Sequence, residues 1–227
     1  MLSPEEMKRV AGEYAVGFVQ PGFVTGIGTG STVYYFIHAL AEKVKQGLDI
    51  TAVVTSRKSG ELSKQLGITV TDLNDVDTID ITIDGADEVD KQLQLIKGGG
   101  GALLQEKMVA AASKKLVIIA DNTKLVSKLG HFPLPIEVIP YGWKQVQQKI
   151  REIYKIETQI RTKNNDLTVT DHGHYILDCY FNEIQNPPAL NTDLHAIPGV
   201  VETGLFINMA SEAIIGIADG SFQYLSK

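Results

Sequence analysis

Short apolar runs alternate with longer runs of helical periodicity over the first 129 residues. FVTGIG (23–28), ITAVVTS (50–56), ITVTDL (68–73), IDITIDG (79–85) and KLVIIAD (115–121) read as strands. STVYYFIHALAEKVKQG, RKSGELSKQLG and ALLQEKMVAAASK read as the helices between them. KLVIIAD is apolar without alternation, the pattern of a strand covered on both faces. Strand and helix in turn predict an α/β fold, a Rossmann-like parallel sheet with helices on both faces. A first helix is signalled ahead of it. Ser3 can cap that helix, Pro4 suits its first turn, and Glu6 completes a Ser-x-x-Glu capping box.

The texture changes near residue 129. GHFPLPIEVIPYG is rich in proline and glycine, and WKQVQQKIREIY is helical. Three alternating runs follow, ETQIR, LTVTD and YILDCYF, the last two joined at the turn DHGH (171–174). This pattern predicts a small α+β, ferredoxin-like subdomain over 130–204, inserted into an α/β domain of 1–129 and 205–227. AIIGIAD, near the end, is strand-like and is expected to rejoin the main sheet.

Composition narrows the field. The 227 residues are 44% hydrophobic and 21% charged, so an ordinary core is expected. A net charge of −6 without a run of lysine or arginine argues against nucleic acid as a partner. No segment approaches the ~20 apolar residues of a membrane span, and no signal peptide is visible at the start. The single cysteine, Cys179, lies in a strand-like run; no internal disulfide is possible, which fits a cytoplasmic protein.

Four polar motifs fall where strands end or helices begin, which is where ligands bind in open parallel sheets. GIGTGST offers bare backbone at Gly28 and Gly30 and hydroxyls at Thr29, Ser31 and Thr32, suited to a phosphate at a helix N-terminus. Its alternative is a plain strand-to-helix turn capped by Ser31. It is neither a dinucleotide fingerprint, since position 31 is serine, nor a Walker A loop, since Gly30 stands where lysine is needed. DGADEVD places Asp84 and Asp87 three apart around Gly85 and Ala86, while Glu88 and Asp90 are expected in solvent. A divalent metal is the competing reading there; the absence of a nearby histidine and the presence of Lys97 weigh against it.

KGGGG (97–101) is flanked by core-like sequence, which argues against a linker. A backbone nest of N–H groups at Gly98, Gly99 and Gly100, opening a helix, is the expectation. On that helix Leu104, Met108, Ala111 and Ala112 are expected to face the core, with Glu106 opposite them near Ala102 and Ala110. Glu106 is then either an ordinary surface glutamate or a functional carboxylate beside the loop. Lys124 in DNTK ends the set. The five histidines make no metal or triad pattern.

GIGTGST, DGADEVD, KGGGGALLQEK, DNTK and IPGVVETGLF, in this order and spacing, resemble the type A ribose-5-phosphate isomerase family over nearly the whole chain. The resemblance implies interconversion of ribose 5-phosphate and ribulose 5-phosphate in the pentose phosphate pathway, without metal or organic cofactor, by a homodimer or homotetramer. It implies Glu106 as the base, with Asp84, Asp87 and Lys97 around the reacting sugar. It implies Thr29, Gly30, Ser31, Thr32, Gly85, Ala86, Gly98, Gly99, Gly100 and Lys124 as substrate-binding positions. Asp84 is the expected helper in opening the sugar ring. Sugar-phosphate deaminases, lactonases, CoA transferases and non-catalytic phosphosugar sensors are the competing classes. The first two would be expected to use a histidine, and a sensor to have lost the base.

Overall fold

The computed structural model describes residues 1–227. Helix α1 (Pro4–Ala15) has the capping box expected of it, Ser3 accepting from the Glu6 N–H and Glu6 from the Ser3 N–H. Then come β1 (Val24–Ile27), α2 (Ser31–Lys45), β2 (Thr51–Val54), α3 (Arg57–Gln65), β3 (Val70–Thr71) and β4 (Ile81–Asp84). A short hairpin of β5 (Glu88–Val89) and β6 (Leu95–Ile96) leads into α4 (Leu103–Ala111) and β7 (Leu116–Asp121). Next are β8 (Leu134–Val138), α5 (Trp143–Tyr154), β9 (Glu157–Ile160), β10 (Thr162–Lys163), β11 (Asp166–Leu167), β12 (Tyr175–Tyr180), α6 (Pro187–His195) and β13 (Val200–Thr203). The chain closes with β14 (Leu205–Phe206), β15 (Glu212–Gly216) and β16 (Phe222–Ser226).

The main sheet runs β16-β15-β7-β4-β1-β2-β3, parallel throughout except for β16. Every residue of β4 and β7 is buried, because helices cover both faces. Helices α1 and α2 pack on one face around Phe36, Leu40 and Ile83. Helix α4 covers the other face, Val109 meeting Val53 and Ile79 while Ala110 meets Leu116 and Ile118. The order reverses at β1, which pairs with β2 on one side and β4 on the other. The crevice for a ligand opens at such a reversal.

The second sheet is antiparallel, in the order β13-β8-β12-β9. With α5 and α6 it makes a β-α-β-β-α-β unit with its own core around Ile136, Ile150 and Leu194. Its first strand, β8, lies inside the proline-rich run that gave no strand signal; Pro135 is tolerated within it. LTVTD, expected to be a strand, joins no ladder of this sheet. Only Leu167 at its start pairs, in the small hairpin of β10 with β11, because Asn164 and Asn165 take left-handed conformations that turn the chain early. No helix of the chain is long and apolar enough to cross a membrane.

Candidate active site

Three loops from the carboxyl ends of β1, β4 and β7 meet the glycine loop that precedes α4. Between them lies a polar cavity of about 150 Å³. Thr29, Gly30, Ser31 and Thr32 form one wall, and Gly85, Ala86 and Asp87 a second. Lys97, Gly98, Gly99, Gly100 and Glu106 form the third, with Lys124 at the edge. A larger open groove of about 560 Å³ runs along α3 and β3. It holds none of these residues and no comparable convergence of functional groups.

Asp84, the last residue of β4, lies behind the cavity rather than on its wall. Its Oδ1 accepts from the Thr29 N–H at 3.1 Å and the Gly85 N–H at 2.7 Å, and its Oδ2 stands 3.0 Å from Lys97 Nζ. The close fit requires glycine at 28, where a Cβ would stand 2.0 Å from Asp84 Oδ1. Lys97 also donates to the Gly85 carbonyl at 2.6 Å and lies 3.3 Å from Glu106 Oε1. Its backbone N–H donates to the Gly204 carbonyl, beside the β6–β14 pairing.

Asp84, Lys97 and Glu106 are all under 5% exposed. One buried ammonium therefore faces two buried carboxyls. Burial opposes the charge on Lys97, but Asp84 and Glu106 outweigh it and raise its pKa. Burial pushes Asp84 up, against the pull of Lys97 and two backbone N–H groups. Glu106 is pushed up to about 8, first by burial, with Lys97 pulling down and Asp84 and Asp87 pushing up. Charge balance gives the same answer: Lys97 neutralises one carboxylate, and the other keeps a proton near neutrality. Glu106 Oε2 accepts no hydrogen bond from the protein.

The buried face of α4 is Leu103, Glu106, Val109 and Ala110. The expected core face is thus corrected: Met108 is 48% exposed and Ala111 is exposed as well. Hydropathy places a glutamate outward; the ion pair with Lys97 turns it inward. Glu88 and Asp90 are likewise buried rather than solvated. Glu88 accepts from the N–H groups of Gly130 and Phe132, and Asp90 from those of Gln92 and Gln94. They fold loops and lie outside the cavity.

Asp87 accepts from the Gly99 N–H at 2.7 Å, which ties the second wall to the third. Gly98 and Gly101 take φ of +100° and +84°, which favours glycine at both ends of the loop. Gly30, rather than Ser31, takes the N-cap position of α2, at φ +130°. Thr29 Oγ1 turns away from the cavity into a cluster with the hydroxyls of Thr55, Ser56 and Ser59, at 2.8, 2.8 and 3.2 Å. Ser59 in turn donates to the Gly28 carbonyl. These three hydroxyl residues carry no glycine or acidic signature to mark them in the sequence, although TSRKS follows a strand as the other motifs do. Lys8 of α1 also lines the cavity and bonds Glu5 at 2.8 Å. Nothing local marks it, since an isolated lysine on a helix reads as a surface residue. Cys179 is buried, and burial pushes its thiol up, so it is no nucleophile.

Residues 51–220 match the family described as ribose 5-phosphate isomerase A (phosphoriboisomerase A). A ribose-5-phosphate isomerase A of Bacillus cereus is 59% identical over 215 residues, 94% of this chain and 97% of that relative. A solved D-ribose-5-phosphate isomerase in complex with phospho-erythronic acid superposes with a TM-score of 0.96 at 39% identity, covering all of both chains. The Plasmodium falciparum ribose 5-phosphate isomerase does so at 0.95 and 38%, over 98% of this chain and 99% of its own. On fold, site and sequence together, this chain belongs to the ribose-5-phosphate isomerase A family.

Proposed function

We propose that this chain interconverts D-ribose 5-phosphate and D-ribulose 5-phosphate by moving one proton between C2 and C1 through an enediolate. The observation that carries this reading is the Glu106 carboxyl, buried on the cavity wall beside Lys97 with one oxygen unpartnered. Aldose–ketose exchange needs one base that takes and returns a proton, and a carboxylate of raised pKa serves. Negative charge develops on the substrate oxygens, and donors fixed in advance stabilise it. Lys97 and the N–H groups of the glycine loop are those donors. The phosphate rests at the N-terminus of α2 with Ser31 and Thr32, between Lys8 and Lys124, and anchors the sugar away from the chemistry.

Asp84 orients rather than reacts, since it lies behind the cavity wall, its Oδ1 held by two backbone N–H groups and its Oδ2 facing Lys97. Asp87, on the cavity wall with Oδ1 free of protein donors, is the carboxylate we assign to ring opening. We assign segment 130–204 to contacts of a homodimer or homotetramer; Tyr141, 90% exposed on that segment, is the side chain such a contact would cover.

The test is turnover of ribose 5-phosphate with EDTA present, for wild type and Glu106→Gln. Loss of kcat by about 10³-fold or more with KM nearly unchanged is expected. Near-normal kcat in the variant sinks the assignment of the base.

A further inference from the structure

The glycine loop is held from outside the main sheet. Arg161 follows β9 in the antiparallel unit and reaches the loop across 62 residues of sequence. Its Nη1 donates to the Gly98 carbonyl at 2.6 Å and to the Gly99 carbonyl at 3.2 Å. The other edge of the guanidinium is committed. Nε donates to Asp178 Oδ2 at 2.9 Å and Nη2 to Asp178 Oδ1, a two-pronged pair from β12. The Arg161 N–H bonds the Ile176 carbonyl, so its backbone is fixed on the same strand. The side chain is 15% exposed. A fork held at both edges has little freedom left.

A trans peptide places its C=O and N–H on opposite sides. Drawing the Gly98 and Gly99 carbonyls toward Arg161 therefore turns the N–H groups of Gly99 and Gly100 the other way. The Gly99 N–H meets Asp87 on the cavity wall. The Gly100 N–H has no acceptor in the protein, and Gly100 lines the cavity. Arg161 also polarises both peptides, since a carbonyl that accepts from a cation makes the N–H of its own amide a stronger donor. Glycines without side chains would otherwise sample many orientations.

We propose that Arg161, braced by Asp178, is a positioning residue for the isomerase reaction: it fixes and polarises the Gly99–Gly100 peptide so that the Gly100 N–H is aimed at the enediolate oxygen. The inference rests on the placement of the reacting oxygens against the glycine loop, stated above. It gives the antiparallel unit a part in catalysis that is separate from any subunit contact.

The experiment measures kcat and KM for Arg161→Met and Arg161→Lys, with the affinities of inorganic phosphate and of phospho-erythronic acid. The carboxylate of the second probe stands in for the enediolate oxygens. Expected is a fall in kcat of roughly 10- to 100-fold with KM within about twofold. Phospho-erythronic acid should weaken in step with kcat/KM while phosphate affinity holds. Lysine, which cannot span two carbonyls and Asp178, should rescue little, and added guanidinium ion should restore part of the rate of Arg161→Ala. Asp178→Asn, which leaves the arginine in place, should show the same pattern to a smaller degree if the arginine variants do not fold. Wild-type kcat in Arg161→Met overturns the proposal. So does an equal loss of affinity for both probes, the mark of a general structural role. Failure of the Glu106 reading would appear separately, as turnover surviving in Glu106→Gln while the Arg161 effects stand.

Discussion

Lys97 Nζ lies 3.3 Å from Glu106 Oε1, and neither side chain is more than 5% exposed. The pair is not balanced one to one, because Asp84 takes the same ammonium at 3.0 Å. In this arrangement Glu106 holds its proton near neutrality and can give it up without a large cost.

The rate should therefore follow that ionisation. With Glu106 at about 8, kcat/KM is expected to rise with pH and level off above that value, because only the deprotonated form can act as base. Lys97 pulls the Glu106 pKa down, so Lys97→Met should move the inflection up by about one unit or more while lowering the plateau. Initial rates from about pH 6 to 10 check this. A flat wild-type profile would contradict it.

Gly28 is the position where backbone and carboxylate come closest. A Cβ there meets Asp84 Oδ1 at 2.0 Å and its Cγ at 2.2 Å. Gly28→Ala should push Asp84 off Lys97, lowering Tm by roughly 3–10 °C and kcat by at least about tenfold. Gly17→Ala is the control, since a Cβ at that position meets nothing within 4 Å. Unchanged kinetics in Gly28→Ala would mean that Asp84 is not needed where it stands.

Glu202 on β13 joins the antiparallel unit to α4. It accepts from Lys107 at 2.6 Å and lies 2.7 Å from His195 Nε2, and Lys107 also sits 4.8 Å from the Phe206 ring centroid. Burial raises its carboxyl, but His195 and Lys107 outweigh it and bring it down to about 2. A depressed carboxyl stabilises the fold above its ordinary value of 4.5, and that contribution fades as pH falls through about 2. Glu202→Gln should thus cost about 2 kcal/mol at neutral pH, below the usual penalty for breaking a buried pair because 16% of the side chain is exposed. Urea titrations at falling pH should show the gap to wild type closing between about pH 4.5 and 2. A gap constant with pH would assign the effect to packing instead.

Much of the architecture was legible because its signals are local. The wholly apolar KLVIIAD is the fully buried β7, and Ser3, Pro4 and Glu6 cap α1 as their spacing demands. Strand β8 was hidden because Pro135 and the surrounding prolines read as punctuation, and tertiary pairing on both sides overrode them. LTVTD misled in the opposite direction, its alternation being genuine but joined to a ladder only at Leu167.

By itself the sequence determined the alternation of strands and helices, the glycine-bearing turns at strand ends, and the order of motifs that mark the family. Those follow from side-chain periodicity and backbone freedom, which act over a few residues. Only the tertiary structure decided which face of α4 is buried, that Asp84 stands behind Lys97, that Lys8 lines the cavity, and that Arg161 holds the glycine loop. Such facts depend on a charged side chain meeting a backbone partner 55 or 62 residues away, as Asp84 meets the Thr29 N–H and Arg161 the Gly99 carbonyl. A buried charge is tolerated only where its partner arrives, and packing alone brings the partner there.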